Sequence, residues 1–265
     1  MIRLVGIDVD GTLVGSSGVV DPAVWRAAER ACAAGIHLAL CSGRPAFGVA
    51  LEYAQRLDAV GWHIFQNGAS IVHLPSGRSR SASLPPDAVK SLVAQARISG
   101  RALELYGDDC YVTESTSEWA REHATLLGVP FEPRPFESLQ GPPVRAQWLL
   151  SQADAMQAMA EAPPHLEVAQ STSPLMPHTR FVGLTREGVT KGSAIEVIAA
   201  EYGIPLQEVM YVGDSGNDLS ALQIVGHPVA MANADAAVLK IAKHSVGHVD
   251  AGGLKEALEL AVAGA

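Results

Sequence analysis

An α/β core built on a parallel sheet with helices on both faces, interrupted by an inserted α+β unit, is the fold class this sequence predicts. Three observations predict it. Short apolar, β-branched runs alternate with helical stretches over residues 2–66, the pattern of parallel strands joined by helical crossovers. Hairpin signals then mix with helices over residues 70–185. From Lys191 the first alternation resumes.

In order, residues 2–7 read as a strand buried on both faces. Residues 22–34 are alanine-rich and helical, with Gly35 as C-cap. Strands at 36–41 and 62–66 bracket a helix at 47–57. Residues 70–74 and 79–84 flank Pro75-Ser76-Gly77 as a hairpin. A helix at 86–98, a second hairpin (102–106 and 110–113) and a helix at 116–127 follow. The proline-rich stretch 128–143 reads as a loop. Then come a strand at 144–150, a helix at 152–162, a strand at 166–170, a loop at 171–177 and a strand at 181–185. The returning core has helices at 193–202, 218–225, 234–242 and 253–263, with strands at 209–212 and 228–231. The economical division is a core of residues 1–82 and 184–265, with 83–183 inserted.

The chain has 265 residues, room for one or two domains, and 48% apolar residues, enough for packed cores. A net charge of -9 argues against a general nucleic-acid binder. It leaves room for an anionic substrate, because a metal or a few local cations can reverse the field in one pocket. Cys32, Cys41 and Cys110 are scattered and odd in number, which fits neither a disulfide framework nor a zinc site. The N-terminal apolar run is broken by Asp8 and Asp10, and no apolar stretch reaches the roughly 18 residues of a membrane span. The expected place is the cytoplasm.

Chemistry-bearing residues gather where predicted strands end. In an open parallel sheet, ligands bind outside the carboxyl ends of the strands. Asp8 and Asp10, followed by Gly11-Thr12, close the first strand. They could share a hard cation, or one could attack while the other moves a proton. Ser42-Gly43-Arg44 follows the second strand as an anion seat. Lys191 opens a helix, where the dipole disfavours a cation. Asp214, Asn217 and Asp218 follow the strand ending in Tyr211-Val212. Each group alone has a bland reading as a polar turn, a helix cap or a surface lysine. A P-loop is excluded because Val189 stands where lysine is required, and an EF-hand because Gly216 replaces an oxygen ligand. Together the groups are the equipment of phosphoryl transfer.

The order DVDGT, CSGR, GVTKG, GDSGND resembles the haloacid dehalogenase superfamily, specifically its magnesium-dependent phosphatases of Cof type, with a Rossmann-like core and a large inserted cap. Gln66-Asn67-Gly68-Ala69 and the segment 229–234 also resemble that subgroup. Ala232, and the segment 248–253 in place of an Asn-Glu-Asp-Gly-like tail, depart from it. The resemblance implies that Asp8 is the nucleophile and forms an aspartyl-phosphate, and that Asp10 is the acid and base. It implies Mg2+ on Asp8, the Asp10 carbonyl and Asp214. It implies a phosphate seat of Gly11, Thr12, Ser42, Gly43, Arg44, Lys191 and Asn217, with Asp218 in support. The cap would close over the site and read the leaving group, with Arg145, His178 and Arg180 as candidate readers. His123 and His165 lack metal-ligand spacing and are expected at the surface.

The expected activity is hydrolysis of small phosphorylated metabolites, sugar phosphates foremost. A phosphomutase of the same superfamily and a non-catalytic metabolite-binding or regulatory protein are the alternatives. A carbon–halogen hydrolase needs neither Asp10 nor Asp214 and is disfavoured. The sequence names neither the substrate nor the oligomeric state.

Overall fold

The computed structural model describes residues 1–173 and 176–264. It opens with β1 (Leu4–Asp8), α1 (Pro22–Ala33), β2 (His37–Cys41), α2 (Val49–Asp58), β3 (Trp62–Phe65), β4 (Ser70–His73) and β5 (Arg78–Ser79). The middle contains α3 (Pro86–Ser99), β6 (Ala102–Tyr106), β7 (Tyr111–Thr113), α4 (Glu118–Leu127), β8 (Arg145–Leu150), α5 (Gln152–Ala160), β9 (Leu166–Ser173) and β10 (Met176–Arg186). The last part holds α6 (Lys191–Tyr202), β11 (Val209–Gly213), α7 (Leu219–Leu222), β12 (His227–Met231), α8 (Ala236–Ile241), β13 (His244–Val246) and α9 (Gly253–Ala263).

Contacts divide the chain into two units. The first is Met1–Arg44, Ala50–Arg80 and Thr190–Ala265; the second is Pro45–Val49 and Ser81–Val189. The first unit carries an eight-stranded sheet in the order β13-β12-β11-β1-β2-β3-β4-β5. It is parallel from β13 to β3, and β4 and β5 extend it antiparallel. β1 lies centrally and is wholly buried, as its unbroken apolar run requires. Helices α6, α7 and α8 line one face through Ile195, Ile198, Leu222 and Val238. Helix α1 packs on α9, and its Trp25 lies against Tyr53 of α2. The second unit is a five-stranded antiparallel sheet, β7-β6-β8-β10-β9. Its main core gathers Leu92, Leu103, Leu105, Trp148 and Val182 on one face. Leu149, Phe181 and Trp119 form a smaller cluster on the other.

Differences from the sequence expectations have local causes. Helix α6 begins at Lys191, two residues early, because Thr190 and Ser193 form a reciprocal capping box. The expected helix at 218–225 shrinks to a 3-10 turn, Gly216–Asp218, and the four residues of α7. β5 is only two residues long, and β13 escapes the apolar pattern because His244 and Ser245 are exposed. The expected loop at 171–177 is strand at Ser171–Ser173 and Met176–Pro177, while Pro174 and Leu175 lie outside the described residues. His165 is exposed, but His123 is buried, contrary to expectation. Its Nδ1 lies 2.9 Å from both carboxylate oxygens of Glu104. Glu104 is itself fully buried and accepts from the Tyr106 hydroxyl at 2.5 Å. A buried carboxylate needs such partners.

Candidate active site

Period-2 alternation along β1 decides where the first carboxylate points. Leu4 packs in the cluster that holds Ile195 of α6 and Tyr211 of β11, and Gly6 lies against the same two side chains. Asp8 follows on that face and meets the first residue of α6, Lys191. The Lys191 Nζ donates to Asp8 Oδ1, and to Asp218 Oδ1 at 2.7 Å. The side chains of Lys191 and Asp218 are 0% exposed and that of Asp8 is 6% exposed. Two carboxylates thus offset the unfavourable placement of a cation at a helix start. Burial acts to lower the pKa of Lys191, but Asp8 and Asp218 outweigh it and hold the ammonium above its ordinary range.

Asp218 has donors on both carboxylate oxygens, a long 3.5 Å bond from the Ser215 hydroxyl to Oδ2 among them. Lys191 Nζ and the Tyr211 hydroxyl reach Oδ1, the latter at 2.8 Å, and the amides of Asp214 and Ser215 reach Oδ2 at 3.1 Å. Asp214 accepts the Thr12 hydroxyl at 2.9 Å, and its carbonyl accepts the Asp235 amide. Gly11, at φ +92°, crosses directly over this carboxylate: a Cβ there would lie 2.3 Å from Asp214 Oδ2. Glycine satisfies both the left-handed backbone and the close approach.

Carboxylate oxygens of Asp8, Asp214 and Asp218 lie within 4.8 Å of one another. Burial pushes the Asp8 carboxyl well above the usual range, and Asp218 and Asp214 add repulsion, against the pull of Lys191. Three carboxylates facing one ammonium leave negative charge uncompensated. An all-oxygen donor set of that charge fits a hard divalent cation such as Mg2+. With Asp218 already saturated, Asp8 and Asp214 are the carboxylates left to hold one.

Ser42 is buried, and its Oγ accepts the Arg44 amide at 3.0 Å. Arg44 embraces Asp10 with two bonds, Nε to Oδ2 at 3.2 Å and Nη2 to Oδ1 at 2.5 Å. The Asp10 side chain is 64% exposed, unlike that of Asp8. Asn217 Nδ2 donates to Asn67 Oδ1 at 3.1 Å. Thr12, expected on a phosphate, has its hydroxyl on Asp214 and its amide on the Val9 carbonyl, so both its donors are engaged within the chain.

In the second unit Arg145 is half-buried, donates to Gln147 Oε1 and lies 5.5 Å from the Tyr106 ring centroid. Arg180 donates to Gln152 Oε1 and to the carbonyl of Pro177, and His178 is exposed. Register pairs Phe181 with Leu149 and Arg180 with Leu150. Arg145 therefore shares its sheet face with Leu149, and Arg180 lies on the opposite one. Of the candidate readers, the two arginines thus stand on opposite faces of one sheet.

Three residues of the site carried little signal. Tyr211 looks like a core residue of an apolar strand, yet its hydroxyl holds Asp218. Asn233 donates to the Gly11 carbonyl at 2.8 Å and accepts the Val249 amide, tying the loop after β1 to the C-terminal segment. Asn67 touches both Gly43 and Asn217. Asn67 and Asn233 stood inside motifs that resemble the subgroup, and neither had a chemical reason attached.

The sequence pattern of the haloacid dehalogenase-like hydrolase family matches residues 5–258. The chain belongs to that family. This haloacid dehalogenase-like hydrolase is similar to the 5-amino-6-(5-phospho-D-ribitylamino)uracil phosphatase YwtE of Bacillus subtilis, with 26% identity over 262 residues and 88% of each chain covered. It is 25% identical to phosphatase YwpJ of the same organism over 289 residues, covering 94% of this chain and 98% of the other. The crystal structure of a haloacid dehalogenase-like hydrolase from Bacteroides thetaiotaomicron superimposes with a TM-score of 0.86 at 25% identity, covering 98% of this chain and 99% of that one. The haloacid dehalogenase-like core, an α/β fold on a parallel sheet, is the one the sequence predicts. The hydrolase is a phosphatase of Cof type that cleaves phosphoric monoesters.

Proposed function

We propose that this phosphatase hydrolyses small phosphorylated metabolites, sugar phosphates foremost, through an aspartyl-phosphate on Asp8. One observation carries the reading: a buried carboxylate ends the central strand, held by a buried lysine that a second buried carboxylate fixes in place. A carboxylate so placed is a nucleophile with one trajectory. The activity named for the Bacillus subtilis relative, on a phosphorylated ribityl compound, supports the substrate class.

Asp8 attacks phosphorus, and the ester oxygen leaves with a proton from Asp10. Asp10 then takes a proton from the water that cleaves the acyl phosphate. Lys191, Ser42 and the Gly43 amide hold the phosphoryl oxygens; the Gly11 amide, expected there too, is spent on the Val14 carbonyl at 2.9 Å. Asp218 fixes Lys191. Asp8, the Asp10 carbonyl and Asp214 would hold Mg2+, with Thr12 orienting Asp214. Bound there, the cation supplies Lewis acidity and offsets repulsion between carboxylate and phosphate. Arg44 holds Asp10 in a two-bonded pair, so an incoming phosphate that draws Arg44 to itself frees Asp10 for proton transfer. Residues 83–183 are proposed to select the leaving group, Arg145 being the first reader to test, and a cytoplasmic setting fits such metabolites.

A panel of phosphorylated metabolites assayed with Mg2+ should yield inorganic phosphate. Excess chelator should silence turnover and Mg2+ should restore it. Asp8→Asn should be inactive with an unchanged circular dichroism spectrum, because an amide does not attack phosphorus at a useful rate. Activity within tenfold of wild type would remove Asp8 from its role. Isomer formation without phosphate release would favour the phosphomutase.

A further inference from the structure

The chain takes an unusual path as it leaves β3. Gln66, Asn67 and Gly68 have φ of 53°, 56° and 106°, three left-handed residues in succession. Among the described residues only one other non-glycine, His165, has positive φ. Left-handed backbone outside glycine is unfavourable and persists where surrounding structure imposes it, often at functional sites.

The bonds of this turn show what imposes it. The Gln66 amide donates to the Arg44 carbonyl and the Asn67 amide to the Ser42 carbonyl, both at 2.9 Å. The turn therefore grips the Ser42–Arg44 loop by its backbone. A Cβ at Gly43 would lie 3.2 Å from both Nδ2 and Oδ1 of Asn67, so the side-chain amide lies flat against that glycine. The orientation of the amide follows from a relay. Ser215 Oγ donates to Asn217 Oδ1 at 2.8 Å, and Asn217 Nδ2 donates to Asn67 Oδ1 at 3.1 Å. This spends the Asn67 oxygen and leaves its NH2 group as a donor, on a half-buried side chain between Gly43 and Asn217.

We propose that Asn67 lends its side-chain amide to the phosphate seat, as a donor beside Ser42, Gly43 and Lys191, and that the left-handed turn exists to present it there. The inference rests on the phosphate seat set out above and adds a member to it.

The test uses the strain itself. Asn67→Gly removes the amide and relieves the backbone, so its melting temperature should equal or exceed that of wild type. Its kcat/KM should nevertheless fall roughly 10–100-fold, the scale of a lost hydrogen bond to a charged group. Competitive inhibition by inorganic phosphate should weaken in parallel. Asn67→Asp keeps the acceptor for Asn217 and the tolerance for left-handed φ, but replaces the donor with a negative charge. It should bind phosphate more weakly than Asn67→Gly. An Asn67→Asp enzyme that keeps wild-type phosphate inhibition would overturn the proposal, since only the bond to Asn217 would then matter. So would an Asn67→Gly enzyme that is stable and fully active. A wild-type enzyme that releases phosphate without being inhibited by it would instead discard the seat on which the inference stands.

Discussion

Tyr211 reaches Asp218 because position 6 carries no side chain. A Cβ at Gly6 would lie 2.6 Å from the Tyr211 ring, which crosses β1 at that point. Gly6→Ala should push the ring aside and loosen the set that fixes Lys191. We expect a loss of about 1–3 kcal/mol in urea unfolding, the usual cost of overpacking, together with a lower kcat. If the methyl acts through the phenol, its effect on kcat should largely vanish in a Tyr211→Phe background, whereas additive losses would show that it does not. Asp10 makes a second residue-scale prediction. A sugar alkoxide needs a proton as its ester bond breaks, whereas p-nitrophenolate hardly does. In single-turnover kinetics Asp10→Asn should slow phosphorylation of Asp8 more with a sugar phosphate than with p-nitrophenyl phosphate, by about 10²–10⁴-fold. Equal losses would assign Asp10 a structural or metal-binding role.

At the scale of elements, β3 contains a histidine that the core keeps neutral. His63 Nδ1 accepts the Leu40 amide at 3.0 Å, and Nε2 faces the Asp58 carbonyl at 2.8 Å. Burial is the main force on it and lowers its pKa to about 4. The unfolded chain takes up this proton near pH 6.5, so the stabilisation is complete above that pH and drains away as pH falls towards 4. Between pH 7 and pH 5 the share from His63 is about 2 kcal/mol. His63→Gln should flatten the pH dependence of urea unfolding by that amount; an unchanged slope would place the effect elsewhere. The same scale shows what the sequence could disclose. Asp8, Ser42 and Asp214 were legible because each is a chemical residue where an apolar run stops, and Lys191 because it is a cation at a helix start, where the dipole disfavours it. Asn67 was not, because its meaning lies in a backbone angle and in a partner 150 positions away. His123 was misread because its partner, Glu104, is recognisable as buried only once β6 and α4 are packed. Arg145 and Arg180 looked equivalent until register set them on opposite faces.

For the molecule as a whole, every residue proposed to hold phosphate or metal belongs to the first unit. Each unit has its own apolar cluster, so a single two-state transition is not required. Mg2+ with inorganic phosphate at ~100 times its dissociation constant should add about 2.7 kcal/mol to whichever transition contains the site. Calorimetry of the Asp8→Asn protein, which does not turn over, should show that transition rising while the other stays. An equal rise across the whole thermogram would mean that the two units unfold together.

The pairing of Leu4 with Val209 has a consequence for how the protein is made. The strand that ends in Asp8 leaves the ribosome well before one of its two neighbours, which is encoded some 200 residues later. At ~5–20 residues per second it waits about 10–40 s with an open edge. Residues 81–189, by contrast, are contiguous and can collapse while the rest is still being synthesised. The nascent chain thus carries a finished middle and an unfinished beginning. Its period of greatest exposure to aggregation, and to chaperones, ends only when β11 slots in beside β1.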